Sequence, residues 1–300
     1  MTRPATSLTT AYAVAVSGIA SFSIMDMVIK GLSLAIGTFP TLWWRSVVGV
    51  GMAGALYAWF RTPAPGRAAL KIHIVRGVAT TGMAVLFFWG LARVPMAQAV
   101  ALTFIAPLIS LLLAALILKE RIGAATVGGS ALAFVGVVVI LLGQSKAELG
   151  PEALQGSLAI LASALIYAWN IVLMRQQALA ARPVEIAFFQ NLVVCVTFAL
   201  SMPLVGVPAL PDGQWPAIVG AAVLAMVSQL ALAWAYARAG AAALSSSEYS
   251  SFLWAMLLGW LRFGEQVSWF TIGGAALIVA GCLVAARTKP VDHPVLEASA

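Results

Sequence analysis

The sequence predicts an all-α membrane protein, with ten transmembrane helices arranged as two inverted five-helix repeats. Three observations lead there. Hydrophobic residues make up 62% of the 300-residue chain and charged residues only 9%, a balance that a soluble domain of this length does not carry. Apolar stretches long enough to cross a ~30 Å hydrocarbon core recur along nearly the whole chain. The pattern is also written twice, at a constant offset of 145 residues.

The first half holds expected spans at about 11–29, 39–60, 74–92, 97–118 and 124–143. Span one is too long, and too polar at Asp26, for the apolar core of a signal peptide, so it is expected to stay in the mature protein. Asp26 and Lys30 lie four apart near its end, which makes them either a helical ion pair or a gate on a path through the membrane. Span two opens on Trp43, Trp44 and Arg45. That arginine either snorkels to the interface or pairs with an internal acid or a solute carboxylate. His73 falls in the loop before span three, and Trp89 lies inside that span. Span four carries Gln98 and Pro107 and closes on Glu120 beside Arg121. In span five, Gly128, Gly129 and Gly136 make a small face for close helix packing.

The second half repeats the plan at about 156–174, 185–205, 214–236, 241–261 and 268–286. Tyr167 and Asn170 on span six, and Gln190 and Asn191 on span seven, are polar enough to bond across helices or to touch a ligand. Gln229 in span eight is of the same kind as Gln98, and Trp234 is placed deep, like Trp89, Trp169 and Trp254. Span nine holds Ser245, Glu248, Tyr249 and Phe252 on one helical face and ends at Glu265 beside Arg262. Helix-end ion pairs account for Glu120 and Glu265. A carboxylate at bilayer depth costs on the order of 2.5–3.5 kcal/mol, so Glu248 needs a cavity or a polar partner. Span ten repeats the small face as Gly273, Gly274 and Gly281. Residues 287–300 read as a disordered polar tail.

The repeat is carried by matched polar, aromatic and glycine positions rather than by apolar ones. Trp89-to-Arg93, "WGLAR", aligns with Trp234-to-Arg238, "WAYAR"; Glu120 aligns with Glu265; Val127-to-Gly136 aligns with Ile272-to-Gly281; Lys30 aligns with Arg175. Five spans per copy is an odd number, so the second copy enters the membrane from the opposite side, about a pseudo-two-fold axis in the membrane plane. The expected units are a first repeat at 11–143, an inverted second repeat at 156–286, and the tail. Such a plan suits a machine with two mirror-related states, one open to each side.

The net charge of +7 lies at span ends and not on a soluble face, which argues against nucleic acid. One side collects Arg3, Arg61, Arg67, Lys71, Arg76, Lys119, Arg121, Arg175, Arg182, Arg238, Arg287 and Lys289, twelve in all; the other has four, Lys30, Arg93, Lys146 and Arg262. The positive-inside rule then puts both termini in the cytoplasm. Cys195 and Cys282 fall in separate spans and read as small packing residues. With His73 and His293 both expected outside the spans, no metal site or His-assisted nucleophile is expected within the membrane. No GxxxxGK[ST] loop is present to bind ATP.

The stretch Phe22-to-Lys30, "FSIMDMVIK", with "WWRS" at Trp43, resembles the drug/metabolite transporter superfamily in its EamA-type branch of ten-helix bacterial carriers. So does the run from Ala235 to Glu265, with "GGAALIVAG" at Gly273. The likeness covers nearly all of residues 11–286, and departs at Ser245–Ser247, where a proline is expected ahead of the Glu-Tyr pair. It implies a secondary transporter, not an enzyme, in the bacterial cytoplasmic membrane, with no cofactor and a small-molecule solute. Amino acids, aromatic or large neutral ones first, are the implied cargo. The alternatives are another organic solute, nucleoside-like or vitamin-like, or from a different class an intramembrane enzyme or lipid-handling protein. The solute-binding candidates are Glu248, Tyr249, Ser245, Trp254, Asn170, Tyr167, Gln190 and Arg45, with Asp26 and Lys30 as gate.

Overall fold

The computed structural model describes residues 8–118, 124–146, 150–236, 238, 244 and 247–286, and no strand occurs among them. Along these residues run eleven helices: α1 (Leu8–Ile36), α2 (Thr38–Trp59), α3 (Arg67–Leu91), α4 (Met96–Thr103), α5 (Ala106–Leu118), α6 (Ala124–Lys146), α7 (Gly150–Ala180), α8 (Pro183–Val205), α9 (Trp215–Tyr236), α10 (Ser250–Phe263) and α11 (Trp269–Ala286). Five apolar stretches, Thr9–Ile36, Arg67–Leu91, Glu152–Ile171, Pro183–Val205 and Trp215–Tyr236, are long enough to cross a bilayer, and shorter ones cover Met96–Ser110, Val127–Gly143 and Trp269–Val284. The chain is a multi-pass membrane protein.

Two expectations about single elements change. The third helix starts at Arg67, so His73 lies inside α3 and is fully buried rather than in a loop. Span four is broken at Phe104–Ile105 into α4 and α5. Pro107 causes the break. In the first turn of α5 its missing N–H is harmless, but in a continuous helix its ring would strike the carbonyl of Thr103. At the position of Phe104 plus 145, Tyr249 forms the turn that precedes α10. No proline stands there. Instead Ser247 Oγ donates to Leu244 O and Ser251 Oγ to Glu248 O, each at 2.6 Å, local bonds of the kind that compete with a helix ladder. The two interruptions meet: the rings of Phe104 and Tyr249 stand edge to face at 5.4 Å.

Packing exchanges elements between the halves. Ser228 Oγ on α9 donates to Gly18 O on α1 at 2.6 Å, and Ser163 Oγ on α7 donates to Met83 O on α3 at 2.8 Å. Adding 145 turns Gly18 into Ser163 and Met83 into Ser228, so each contact is the other with the halves interchanged. Helices α6 and α11 behave alike. A Cβ on Gly136 would stand 2.5 Å from Gly274 O, and one on Gly281 would press on Gly129 O, so the helices touch backbone to backbone and run antiparallel. Gly128 and Gly273 have nothing within 4 Å, which narrows the expected small face to the other four glycines. Helices α2 and α8 cross through Tyr57 stacked on Phe188 at 4.8 Å and Phe39 edge-on to Phe198 at 5.4 Å. In a bilayer, such close approach and interhelical hydrogen bonds stand in for the hydrophobic drive of a soluble core.

Candidate functional site: polar clusters at the two ends and between

At the end of the bundle where α1 and α10 finish, Lys30 is buried and its ammonium is shared. It donates to Val94 O at 2.6 Å and pairs with the Glu265 carboxylate, whose other oxygen accepts from Met96 N at 2.7 Å. The Phe263 ring lies 5.2 Å from Nζ. This corrects two expectations. Lys30 does not form a helical ion pair with Asp26, and Glu265 is bound to α1 rather than to Arg262. The cause is reach: the carboxylate follows the turn at Gly264, which has φ 66°, and returns across the gap to α1. Clefts of about 420 and 350 Å³ flank this link, one lined by Ser33, Trp89, Arg93 and Glu152, the other by Lys30, Arg93, Phe263 and Glu265. Glu248 lines neither.

Asp26 lies instead within the field of Arg45 on α2. Asp26 Oδ1 and Arg45 Nε are buried without a hydrogen-bond partner, and Arg45 Nη1 lies 3.9 Å from Met25 Sδ. In the second half, at the matching level, the Gln190 amide on α8 and Asn170 Oδ1 on α7 are likewise buried and unpartnered; Asn170 Nδ2 reaches Thr80 Oγ1 at 3.4 Å. Gln190 is Arg45 plus 145.

A third polar contact lies at the turn before α10. Tyr236 Oη, at the end of α9, donates to Glu248 Oε1 at 2.6 Å. Tyr167 on α7 feels both the Glu248 carboxylate and the Arg76 guanidinium of α3. Of the predicted residues, Asn170 and Tyr167 share α7, and Glu248 stands at the turn before α10. Of the expected face of Ser245, Glu248, Tyr249 and Phe252, the described members divide, with Tyr249 and Phe252 packed on the core. Glu248 is exposed at the turn before α10, and Tyr249 packs on Phe104. Ser245 lies outside the described residues, as does Glu120. Trp254 is half-buried on α10. Trp89 and Trp234 are taken by their own arginines. Arg93 stacks 3.7 Å over Trp89 and donates to its carbonyl at 3.0 Å; Arg238 does the same over Trp234 at 4.1 and 3.2 Å. The repeated Trp-x-x-x-Arg motif makes the same cation–π contact at both helix ends. Cys195 and Cys282 are free thiols.

Sequence reading missed a fourth cluster. At the end opposite Lys30, Arg76 Nη1 donates to Gln177 Oε1, the Gln177 amide nitrogen meets His73 Nδ1, and His73 Nε2 lies 3.0 Å from Glu185 Oε1. The His73 ring stacks on Phe189 at 5.0 Å. The available signal was His73 and Arg76 at i, i+3 directly ahead of an apolar run, facing the polar residues Gln177 and Glu185 of the α7–α8 hairpin.

Comparison with known proteins adds the following. The family described as "EamA-like transporter family" matches residues 9–142 and again 154–287. The pseudopaline exporter of Pseudomonas aeruginosa is 27% identical over 275 residues, 90% of this chain and 93% of that one. A riboflavin transporter of Rhizobium johnstonii is 32% identical over 218 residues, 72% of this chain and 70% of that one. A crystal structure of another protein superposes with a TM-score of 0.61 over 93% of this chain and 98% of the other at 24% identity, a likeness of fold.

Proposed function

Since the chain belongs to the EamA-like transporter family and is therefore a small-molecule transporter rather than an enzyme, we propose that it is a secondary carrier exporting small metabolites across the cytoplasmic membrane by alternating access. Amino acids, aromatic or large neutral ones first, are the proposed solutes. The observation that carries this is Glu248, a carboxylate at the turn before α10 that accepts from Tyr236 Oη at 2.6 Å, with the Arg76 guanidinium of α3 as the proposed opposite charge. A carboxylate and a guanidinium suit the ammonium and the carboxylate of one small molecule. Arg76 takes the part that the sequence alone gave to Arg45. Gln190, Asn170, Tyr249 and Trp254 remain proposed contacts deeper in the path.

Two inverted halves, 11–143 and 156–286 with a tail at 287–300, are the proposed frame. The interchanged serine bonds and the antiparallel glycine contact of α6 with α11 support it. The charge count then makes the Lys30 end external and the His73 end cytoplasmic. Lys30 keeps its proposed gate role with Glu265 as partner, closing the outer end, while Asp26 and Arg45 form the layer beneath.

The riboflavin transporter relative favours a second reading, in which the solute is vitamin-like. Counterflow of labelled phenylalanine, leucine and riboflavin in proteoliposomes separates the two. Saturable phenylalanine or leucine exchange is expected. Glu248→Gln removes a charge-assisted bond of about 1.5–3 kcal/mol and should weaken that exchange roughly ten- to a hundred-fold. Exchange of riboflavin alone, or wild-type rates in a well-expressed Glu248→Gln protein, would overturn the amino-acid reading.

A further inference from the structure

Arg76 is held by the His73 cluster, to which the proposed transport cycle gives no task. Its hydrogen bonds can be assigned from one end. Arginine only donates, so Gln177 Oε1 must accept from Arg76 and the Gln177 amide nitrogen must donate to His73 Nδ1. With Nδ1 accepting, the ring carries its proton on Nε2 and donates it to Glu185 Oε1 at 3.0 Å.

A further proton has one nitrogen to land on. It comes from the aqueous phase and forms an Nδ1–H bond, leaving an imidazolium; no electrons move. That N–H then faces the N–H of the Gln177 amide. The amide must turn over to offer its oxygen to the ring, which aims its nitrogen at Arg76. Two donors now oppose each other, and the guanidinium is released. Added positive charge one helical turn from Arg76 acts in the same sense.

The groups around His73 fit this use. Glu185 faces it from α8 and Gln177 from α7, with Arg76 on its own helix, and Tyr57 of α2 touches Phe189 behind the ring. Lys71 and Arg182 are nearby but exposed. Histidine is the side chain whose ordinary chemistry gains and loses a proton between about pH 5 and 8.

We propose that His73, with Glu185 and Gln177, is a proton-binding site whose occupation frees Arg76 for the carboxylate of the solute, linking proton uptake to solute binding. The link to solute rests on the proposed transport reading; the proton site does not.

The test uses full-length protein in nanodiscs with ¹⁵N-labelled histidine. The chain has two histidines, so His293→Gln leaves the His73 signal alone. In alkaline buffer the ring should be neutral with Nε2 protonated, and acidification should bring up the imidazolium signal. Gln177→Glu supplies a carboxylate that can accept from both neighbours, so the imidazolium should persist at a pH where the parent is neutral. Glu185→Gln should do the reverse. One unchanging neutral tautomer in all three proteins, or a titration that neither variant moves, overturns the proton site. In proteoliposomes, phenylalanine counterflow should depend on pH in the parent and lose that dependence in Gln177→Glu. Exchange indifferent to pH alongside a titrating ring overturns the linkage, and absence of exchange overturns the solute reading while the ring signal still decides the proton site.

Discussion

With 4% of its surface exposed, Lys30 keeps its place in an apolar helix by donating to Val94 O and to Glu265. Removing one partner of such a pair strands the other, which costs about 3–5 kcal/mol, whereas replacing both with neutral groups is close to neutral. Glu265→Gln should therefore lower the thermal unfolding temperature in detergent markedly, even though the amide can still accept from Met96 N. Lys30→Met combined with Glu265→Gln should recover most of the loss; if the double variant is the less stable of the two, the pair is not what holds these groups. The sequence marked Lys30 and Glu265 as polar residues at span ends, but paired each with a neighbour on its own helix. Local spacing is all that a linear reading can measure, and here partners 235 positions apart won because each carboxylate oxygen found a donor across the gap.

Among the helices, the pattern of glycines separates packing from mere composition. A side chain on Gly136 would meet the backbone oxygen of Gly274, which cannot swing aside, while one on Gly128 would meet nothing. Gly136→Ala should force α6 and α11 apart and reduce stability. Gly128→Ala should be neutral or raise it by up to about 0.5–1 kcal/mol, the usual gain of alanine over glycine inside a helix. Unfolding of both variants in mixed micelles checks the contrast, and equal effects would mean that the close approach is not a stabilising contact. The glycine repeat was legible in the sequence; which of its members touch was not, because a one-residue shift on a helix turns a side chain by ~100°. The break at Phe104 was foreshadowed by Pro107, but its counterpart at Tyr249 rests on serines whose back-bonding leaves no comparable mark. His73 was misplaced because a hydropathy window drops the basic turn of α3 that begins at Arg67.

For the molecule as a whole, the duplicated pattern was the most legible feature, since a 145-residue offset survives any uncertainty in helix ends. Its handedness in the membrane is the part that geometry and charge must supply together. If each half has five spans, the antiparallel contact of α6 with its own counterpart α11 follows directly, because helices at matching positions in inverted copies point opposite ways. A two-fold exchange of the halves, of which the proposed inversion is one, accounts for Gly18 and Met83 swapping roles with Ser163 and Ser228. The proposed orientation rests on twelve basic residues against four, since the positive-inside rule keeps the richer side in the cytoplasm. Arg67 begins α3 at the His73 end, and Gln144 lies near the finish of α6 at the Lys30 end. With Cys195 and Cys282 replaced by alanine, a cysteine at Gln144 should react with an impermeant maleimide added to intact cells. One at Arg67 should react only after the membrane is opened. Labelling of both from outside would place the two positions on one face, and the five-span inverted halves, the external Lys30–Glu265 link and the cytoplasmic entry to His73 would all have to be abandoned together.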